Sequence, residues 1–467
     1  MQTEISATFS RRLPLIVAAA FFMETLDGSI VATALPAIAH SFGQPTLNLA
    51  IGISAYLVTM VAFVPTAGWT SDRFGARTVF ASAVGVFTLA SLLCALSQST
   101  LFFVVARCIQ GMAAAYMSPV GRLVVLRETP KQYLIEAMGM IVWPGLIAPV
   151  LGPPLAGFLT TYLSWRWIFL LNLPIGALGA WLVLRMVPKY AVEARARFDS
   201  LGFVLTAAAL ALLIQGLSLM SSGDPFGGSG AALVVGGCLL GVLSVRHALR
   251  TPAPMLDLRG LSVPTFAVSS VRGGMLCRIA INATPFVLPL MFQIGFGMQP
   301  FEAGMMLLAY MLGNLVMKSA TTMLLRRFGF TNVLTINGAL CAAAIAGCAL
   351  LSPSTARLLI YAVLVFAGMT RSMQLTTVTA LAFADVAAAH RAGASTLAAM
   401  MQQLALTLGV AFAALALAMS QHARAAPSLA LPDFRNALLG AALLMAIGTA
   451  WTRQLPRDAG ADLSRRT

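Results

Sequence analysis

The sequence predicts an all-α polytopic membrane protein, and three observations carry that expectation. Of the 467 residues, 59% are apolar and only 10% charged; a soluble domain carries about 25% charged residues. Mean hydropathy is +0.87, more apolar surface than a soluble globule of this length could cover. The apolar residues fall in continuous runs long enough to cross a bilayer as helices, which needs roughly 20 residues each. Barrel strands would alternate in polarity instead.

Fourteen such runs are legible, near 13–39, 47–68, 78–97, 100–126, 136–160, 166–187, 201–220, 229–248, 264–292, 302–325, 332–351, 356–380, 395–420 and 435–453. The first follows Ser10-Arg11-Arg12, weakly like a twin-arginine signal. It runs past Glu24 and Asp27 to Ala39 without a cleavage site, so an uncleaved span is expected. An even count places both termini on one side. With the N-terminus cytoplasmic, twenty-one of the 30 Lys and Arg fall in inner loops and four (Arg166, Arg357, Arg424, Arg435) in outer ones. That asymmetry is the positive-inside signature. It accounts for the net charge of +15 without invoking nucleic acid. The remaining five, Arg107, Arg272, Arg278, Lys318 and Arg371, lie within spans.

The six cysteines all lie in apolar runs, without metal-ligand spacing, and are read as small buried hydrophobes. No nucleophile elbow, metal cluster or phosphate-binding G-x-x-x-x-G-K-[ST] loop is evident, and only four histidines are scattered along the chain. An enzyme or an ATP-driven pump is therefore not expected, and no cofactor beyond a coupling proton.

An internal repeat supports a two-half architecture. Asp72-Arg73-Phe74-Gly75 ends the second span and Arg326-Arg327-Phe328-Gly329 the tenth, 254 residues apart. Parallel six-helix halves then leave runs 201–220 and 229–248 between them, polar chiefly at Gln215. The expected organisation is an N-terminal bundle over 1–190, two bridging helices over 191–260 and a C-terminal bundle over 261–467.

Five ordered motifs carry a family resemblance: Leu26-Asp27 through Leu35-Pro36; Gly68-Trp69-Thr70-Ser71-Asp72-Arg73-Phe74-Gly75-Ala76-Arg77; Arg107-Cys108-Ile109-Gln110-Gly111; Gly152-Pro153-Pro154-Leu155-Ala156-Gly157; and Trp165-Arg166-Trp167 through Asn172, Pro174 and Gly176. Together they resemble the major facilitator superfamily, in its fourteen-span drug:proton antiporter branch. Gln293–Gly297 and Met317-Lys318 are similar to the MdtD-type multidrug exporters within it. The resemblance implies the major facilitator fold and proton-coupled efflux by alternating access. It departs from the family at Ala156, where a glycine is usual, at Arg326, where the second-half loop usually has Asp, and at Glu24, where close relatives often carry an uncharged polar residue.

Read physically, Glu24 and Asp27 stand three residues apart, on one face of the first helix. Two carboxylates in low dielectric resist double ionisation, so one is expected to hold a proton. Permanent pairing of one of them with arginine stays open. Arg107 is the expected partner, as a switch or as a static bridge. Gly68, Asp72, Arg73, Gly75 and Arg77 form the expected gate, with Arg73 and Arg77 also serving as topology anchors. Gly145, Gly152, Pro153 and Gly157 give the fifth span a small-residue face for close packing or hinging.

Gln110, Arg278, Asn314, Lys318 and Gln402 are expected to line the substrate cavity, with Gln403 beside them, whereas Arg272 and Arg371 are read as snorkelling. Five intramembrane cations outnumber the two central carboxylates. An organic anion or a metal–anion chelate such as a citrate complex is therefore an alternative cargo to amphipathic drugs. A non-transporting membrane sensor is a remote alternative. The expected partners are a small-molecule substrate, the bilayer and accessory efflux proteins around a monomer. The expected site is the inner membrane, with both termini cytoplasmic.

Overall fold

The computed structural model describes residues 12–129, 133–188, 198–222, 227–252, 254–386 and 391–455. It holds fourteen helices long and apolar enough to span a membrane. They are α1 (Arg12–Ser41), α2 (Thr46–Phe74), α3 (Ala76–Leu96), α4 (Thr100–Glu128), α5 (Glu136–Tyr162), α6 (Trp167–Met186), α7 (Ser200–Ser221), α8 (Gly228–Arg250), α9 (Pro264–Gly295), α10 (Pro300–Thr321), α11 (Phe330–Ala349), α12 (Arg357–Ala382), α13 (Gly393–Ala423) and α14 (Leu431–Thr452). All fourteen coincide with the apolar runs of the sequence. The proposed boundary at 190/191 lies outside the described residues, and so do the basic residues Arg11, Lys131, Lys189, Arg195, Arg197, Arg457, Arg465 and Arg466.

Helix ends follow local chemistry. Ser99 caps α4, its hydroxyl accepting from the Phe102 N–H at 3.3 Å. Pro300 opens α10, where its missing N–H costs nothing. Asp433 in the first turn of α14 accepts the Ala430 N–H at 2.8 Å and an ion pair from Arg424. The repeat recurs in geometry: Gly75 and Gly329 both sit at positive φ, +83° and +75°, just past helical segments that run to Phe74 and Phe328. Each donates its N–H to a carbonyl four residues back, of Ser71 at 2.9 Å and of Leu325 at 3.0 Å. Each then starts the next helix, Val79 and Val333 donating to the two glycine carbonyls. Only glycine adopts this conformation without strain.

Packing follows the same two-fold logic. α1 packs on α5, α3 on α4 and α6, and α2 on α4; likewise α9 packs on α13, α11 on α12 and α14, and α10 on α12. The halves meet along α5 against α10 and along α2 against α13, a pair exchanged by the repeat. α7 and α8 pack on each other, and α7 reaches α2 and α13. Their other faces are mostly exposed, as expected of helices against lipid. Sequence reading missed what ties them down. Asp199, just ahead of α7, accepts from His247 of α8 at 2.8 Å and from the backbone N–H groups of Gly202 and Met255, at 2.9 and 3.1 Å. Burial works against its charge, but these bonds prevail and hold the Asp199 carboxyl below the usual range. The clasp fixes the linker into α9. α9 itself breaks at Val271 and Arg272, so that Arg272 is exposed.

Candidate functional site

The inter-half seam between α5 and α10 depends on small residues. A Cβ on Gly157 would lie 2.7 Å from Phe301 Cα, and one on Gly304 would lie 2.9 Å from the Pro153 carbonyl carbon. The backbones touch, as small residues permit. Gly152 faces α1 instead, where a Cβ would stand 3.2 Å from Ser29 Cβ. Gly145 faces Phe21. Thus Pro153 and Gly157 serve the other half and Gly152 its own. At the same end, the Phe301 N–H donates to Thr161 Oγ1 at 3.2 Å and Gln293 Nε2 to the Thr33 carbonyl at 2.8 Å. These contacts close the bundle at the end away from Gly75 and Gly329.

Below this closure lies a central cavity of about 290 Å³. From the first half come Glu24, Thr25, Ser29, Tyr56 and Arg107, and from the second Asn282, Arg371, Gln402 and Gln403, among prolines and apolar side chains. A larger cleft of about 690 Å³ opens at the same end as the closing contacts, beside His40, Ile294, Gln421 and His422. It holds none of the α1 or α4 charges, so the chemistry centres on the smaller cavity.

Two expected site residues, Asp27 and Gln110, lie behind the cavity wall. Arg107 Nη1 donates to Asp27 Oδ2 at 2.6 Å and to Gln110 Oε1 at 2.6 Å. Gln110 Nε2 donates to Asp27 Oδ1 at 3.0 Å and to Ser91 Oγ at 2.8 Å. Asn172 Nδ2 reaches the same Ser91 oxygen at 3.2 Å. Arg107 also donates through Nε to the Gly52 carbonyl at 3.4 Å and lies over the Tyr56 ring, 4.2 Å from its centre. Asp27 and Arg107 are each 1% exposed and Gln110 is 0%. A buried ion pair of this kind holds only with such added hydrogen bonds. Gln110 therefore belongs to this network rather than to the cavity lining. The first-helix motif, the fourth-helix motif and the Asn172 motif meet in one knot.

Glu24 is placed differently. It lines the cavity, is 6% exposed and accepts from the Ser118 hydroxyl at 2.5 Å. Arg122 is the cation within its electrostatic reach. Glu24 and Asp27, read from spacing as one adjacent pair, have separate partners on α4.

Among the cations, Arg371 lines the cavity, lies over the Tyr310 ring at 5.9 Å and leaves its Nε without an acceptor. That corrects its reading as a snorkelling residue. Arg278 is 4% exposed and donates to Thr379 Oγ1 at 3.3 Å, with Nε and Nη1 unpartnered. Neither Arg278, Lys318 nor Asn314 is among the residues lining the central cavity, whereas Gln402 is. Lys318 is half-buried, within electrostatic reach of Arg371.

In the expected gate, Asp72 and Arg73 are exposed, and Asp72 faces Arg127 of α4 at 3.9 Å. Arg77 donates to the Leu184 carbonyl of α6. Gly68 has open space beside it. The Asp72–Arg127 and Arg77–Leu184 contacts both lie within the first half. Beside Gly68, a cavity of about 430 Å³ is walled by Arg122, Met255, Asp257 and Gly393. Among the described residues, no group of three or more His, Cys, Asp or Glu could hold a metal ion.

Two helical halves around a polar, charged cavity define a membrane transporter of the two-bundle class. The chain belongs to the Major Facilitator Superfamily, whose family model matches residues 17–410. A relative from Salmonella paratyphi B, named "Putative multidrug resistance protein MdtD", is 35% identical over 449 residues, covering 95% of this chain and 94% of its own. One of the same name from Pectobacterium carotovorum is 38% identical over 406 residues, 86% of each. Among solved structures, a bacterial homolog of the human lysosomal transporter Spinster superimposes with a TM-score of 0.66 at 13% identity, over 97% of this chain and 98% of that one. These relatives and fold neighbours are transporters rather than enzymes. The chain is accordingly a multi-pass membrane transporter.

Proposed function

We propose that this transporter exports small organic compounds in exchange for protons, by alternating access, in the inner membrane with both termini cytoplasmic. The observation that carries the reading is a set of buried charges in α1 and α4, with Glu24 lining a cavity between the halves and the Asp27–Arg107 pair beside it. Charges in such positions are costly and mark ion or proton pathways. The relatives' multidrug-resistance name supports small organic cargo. The one-sided distribution of Lys and Arg supports the orientation. Inward movement of one proton through about 100 mV contributes about 2.3 kcal/mol, before any pH gradient is added.

A second reading takes the cargo to be an organic anion or a metal–anion chelate. Arg371 in the cavity favours it, because none of Arg371, Arg278 and Lys318 makes an ion pair among the described residues. Proteoliposomes with an imposed pH gradient separate the two readings. Proton-driven movement of ethidium supports amphipathic drugs, movement of citrate supports anions, and movement independent of the gradient overturns proton coupling.

A further inference from the structure

The two carboxylates of α1 are not equivalent, and the difference bears on which of them can exchange a proton. Both Asp27 oxygens are taken, one by Arg107 and one by Gln110, and Asp27 is not among the cavity-lining residues. Protonating it would leave the Arg107 guanidinium as a buried cation without its counter-charge, the costly outcome for a buried pair. Glu24 meets the opposite conditions. It faces the cavity, makes no ion pair among the described residues and has the Ser118 hydroxyl as its hydrogen-bond partner.

A hydroxyl both donates and accepts. While Glu24 is ionised, Ser118 O–H donates to it. Once Glu24 is protonated, its own O–H can donate to Ser118 Oγ. One contact thus serves both protonation states, and neither leaves a polar atom orphaned. Asp27 has no such partner: Arg107 can only donate, and Gln110 turns its NH2 to Asp27 while its Oε1 accepts from Arg107.

We infer that Glu24 is the carboxyl that takes up and releases the exchanged proton, with Ser118 as its positioning residue, while Asp27 stays ionised as the fixed counter-ion of Arg107. The inference rests on the proton-coupled reading above. The step is Glu24–COOH giving Glu24–COO⁻ and a proton to cavity water, and its reverse. The groups facing Glu24 are Asp27 on its own helix, Tyr56 on α2, Arg107 and Arg122 on α4 and Arg371 on α12; α5, α9, α10 and α13 line the cavity with uncharged residues only.

The test is infrared difference spectroscopy of the purified full chain in lipid nanodiscs, titrated from alkaline to acidic pH without cargo. The carbonyl stretch of a protonated carboxyl reports the exchange. The expected band is present in the wild type, lost in Glu24→Gln and kept in Glu24→Asp. It is also kept in Asp27→Asn/Arg107→Met, which removes both members of the buried pair and avoids an orphaned charge. A band that survives Glu24→Gln and vanishes in the Asp27 double variant overturns the assignment, and so does a wild type without a titrating band. Because no transport is needed, failure of wild-type proteoliposomes to couple ethidium or citrate movement to the pH gradient would strike the export reading alone.

Discussion

Arg107 Nη1 stands 2.6 Å from Asp27 Oδ2, and neither residue is more than 1% exposed. This pair, braced by Gln110, Ser91 and Asn172, ties α1, α3, α4 and α6 into one unit. Its first consequence concerns stability. Asp27→Asn strands a buried guanidinium and should cost about 3–5 kcal/mol. Asp27→Leu/Arg107→Met, with no charge left, should cost less than that single change. Thermal unfolding in detergent, arranged as a double-mutant cycle, measures both; additive losses would argue against the coupling.

The seam makes a steric prediction. Gly157 and Gly304 face opposite backbones with no room for a side chain. Gly304→Leu should push α5 and α10 apart at the closed end and cost about 1–3 kcal/mol through overpacking. Spin labels at Leu163 and Met298 would report a longer distance than in the wild type. An unchanged distance distribution would show that the seam adapts without opening.

The glycines of the expected gate differ in kind. Gly75 is at φ +83° with open space beside it, so Gly75→Ala is penalised by conformation alone, at about 1 kcal/mol, and Gly329→Ala should match it. Gly68 lies in a helix with open space, so Gly68→Ala should be neutral or stabilising by up to about 1 kcal/mol. Melting temperatures of the three variants check the contrast. A transport defect in Gly68→Ala without loss of stability would then mark a role in gating.

The clasp on the bridging helices carries a pH dependence. The Asp199 carboxyl is held below its ordinary value of about 4 by His247 and two backbone N–H groups, against the burial that would raise it. A depressed carboxyl stabilises the fold above its unfolded pKa and loses that contribution as pH falls through its folded value. The clasp should therefore persist at neutral pH and release only in acid below about pH 4. Hydrogen exchange at the Met255 amide, which Asp199 accepts, measures this. Asp199→Asn should speed that exchange already at neutral pH.

Much of the fold is legible in the residues. Fourteen apolar runs became fourteen helices because a spanning backbone must satisfy its own hydrogen bonds. The two Phe-Gly turns marked the repeat because positive φ calls for glycine. The Asp27–Arg107 partnership was also foreseeable, since a buried arginine needs an anion. Three features were not. Glu24 and Asp27 share a helical spacing yet separate, because one finds Arg107 and the other Ser118. Arg371 enters the cavity while Gln110 leaves it. Asp199 and His247 meet across 48 positions without a local signal.

The amino-acid order by itself determined the number of spans, the repeat, the turns and the identity of the charges too costly to bury without purpose. All of these follow from local length, composition and backbone geometry. Tertiary structure alone decided which charge meets which partner and which faces the cavity. Lipid tails are as apolar as a helix interior, so the apolar pattern of a spanning helix does not reveal its rotation. That rotation is set by small-residue contacts such as Gly152 on Ser29 and Gly157 on Phe301, between helices distant in the chain.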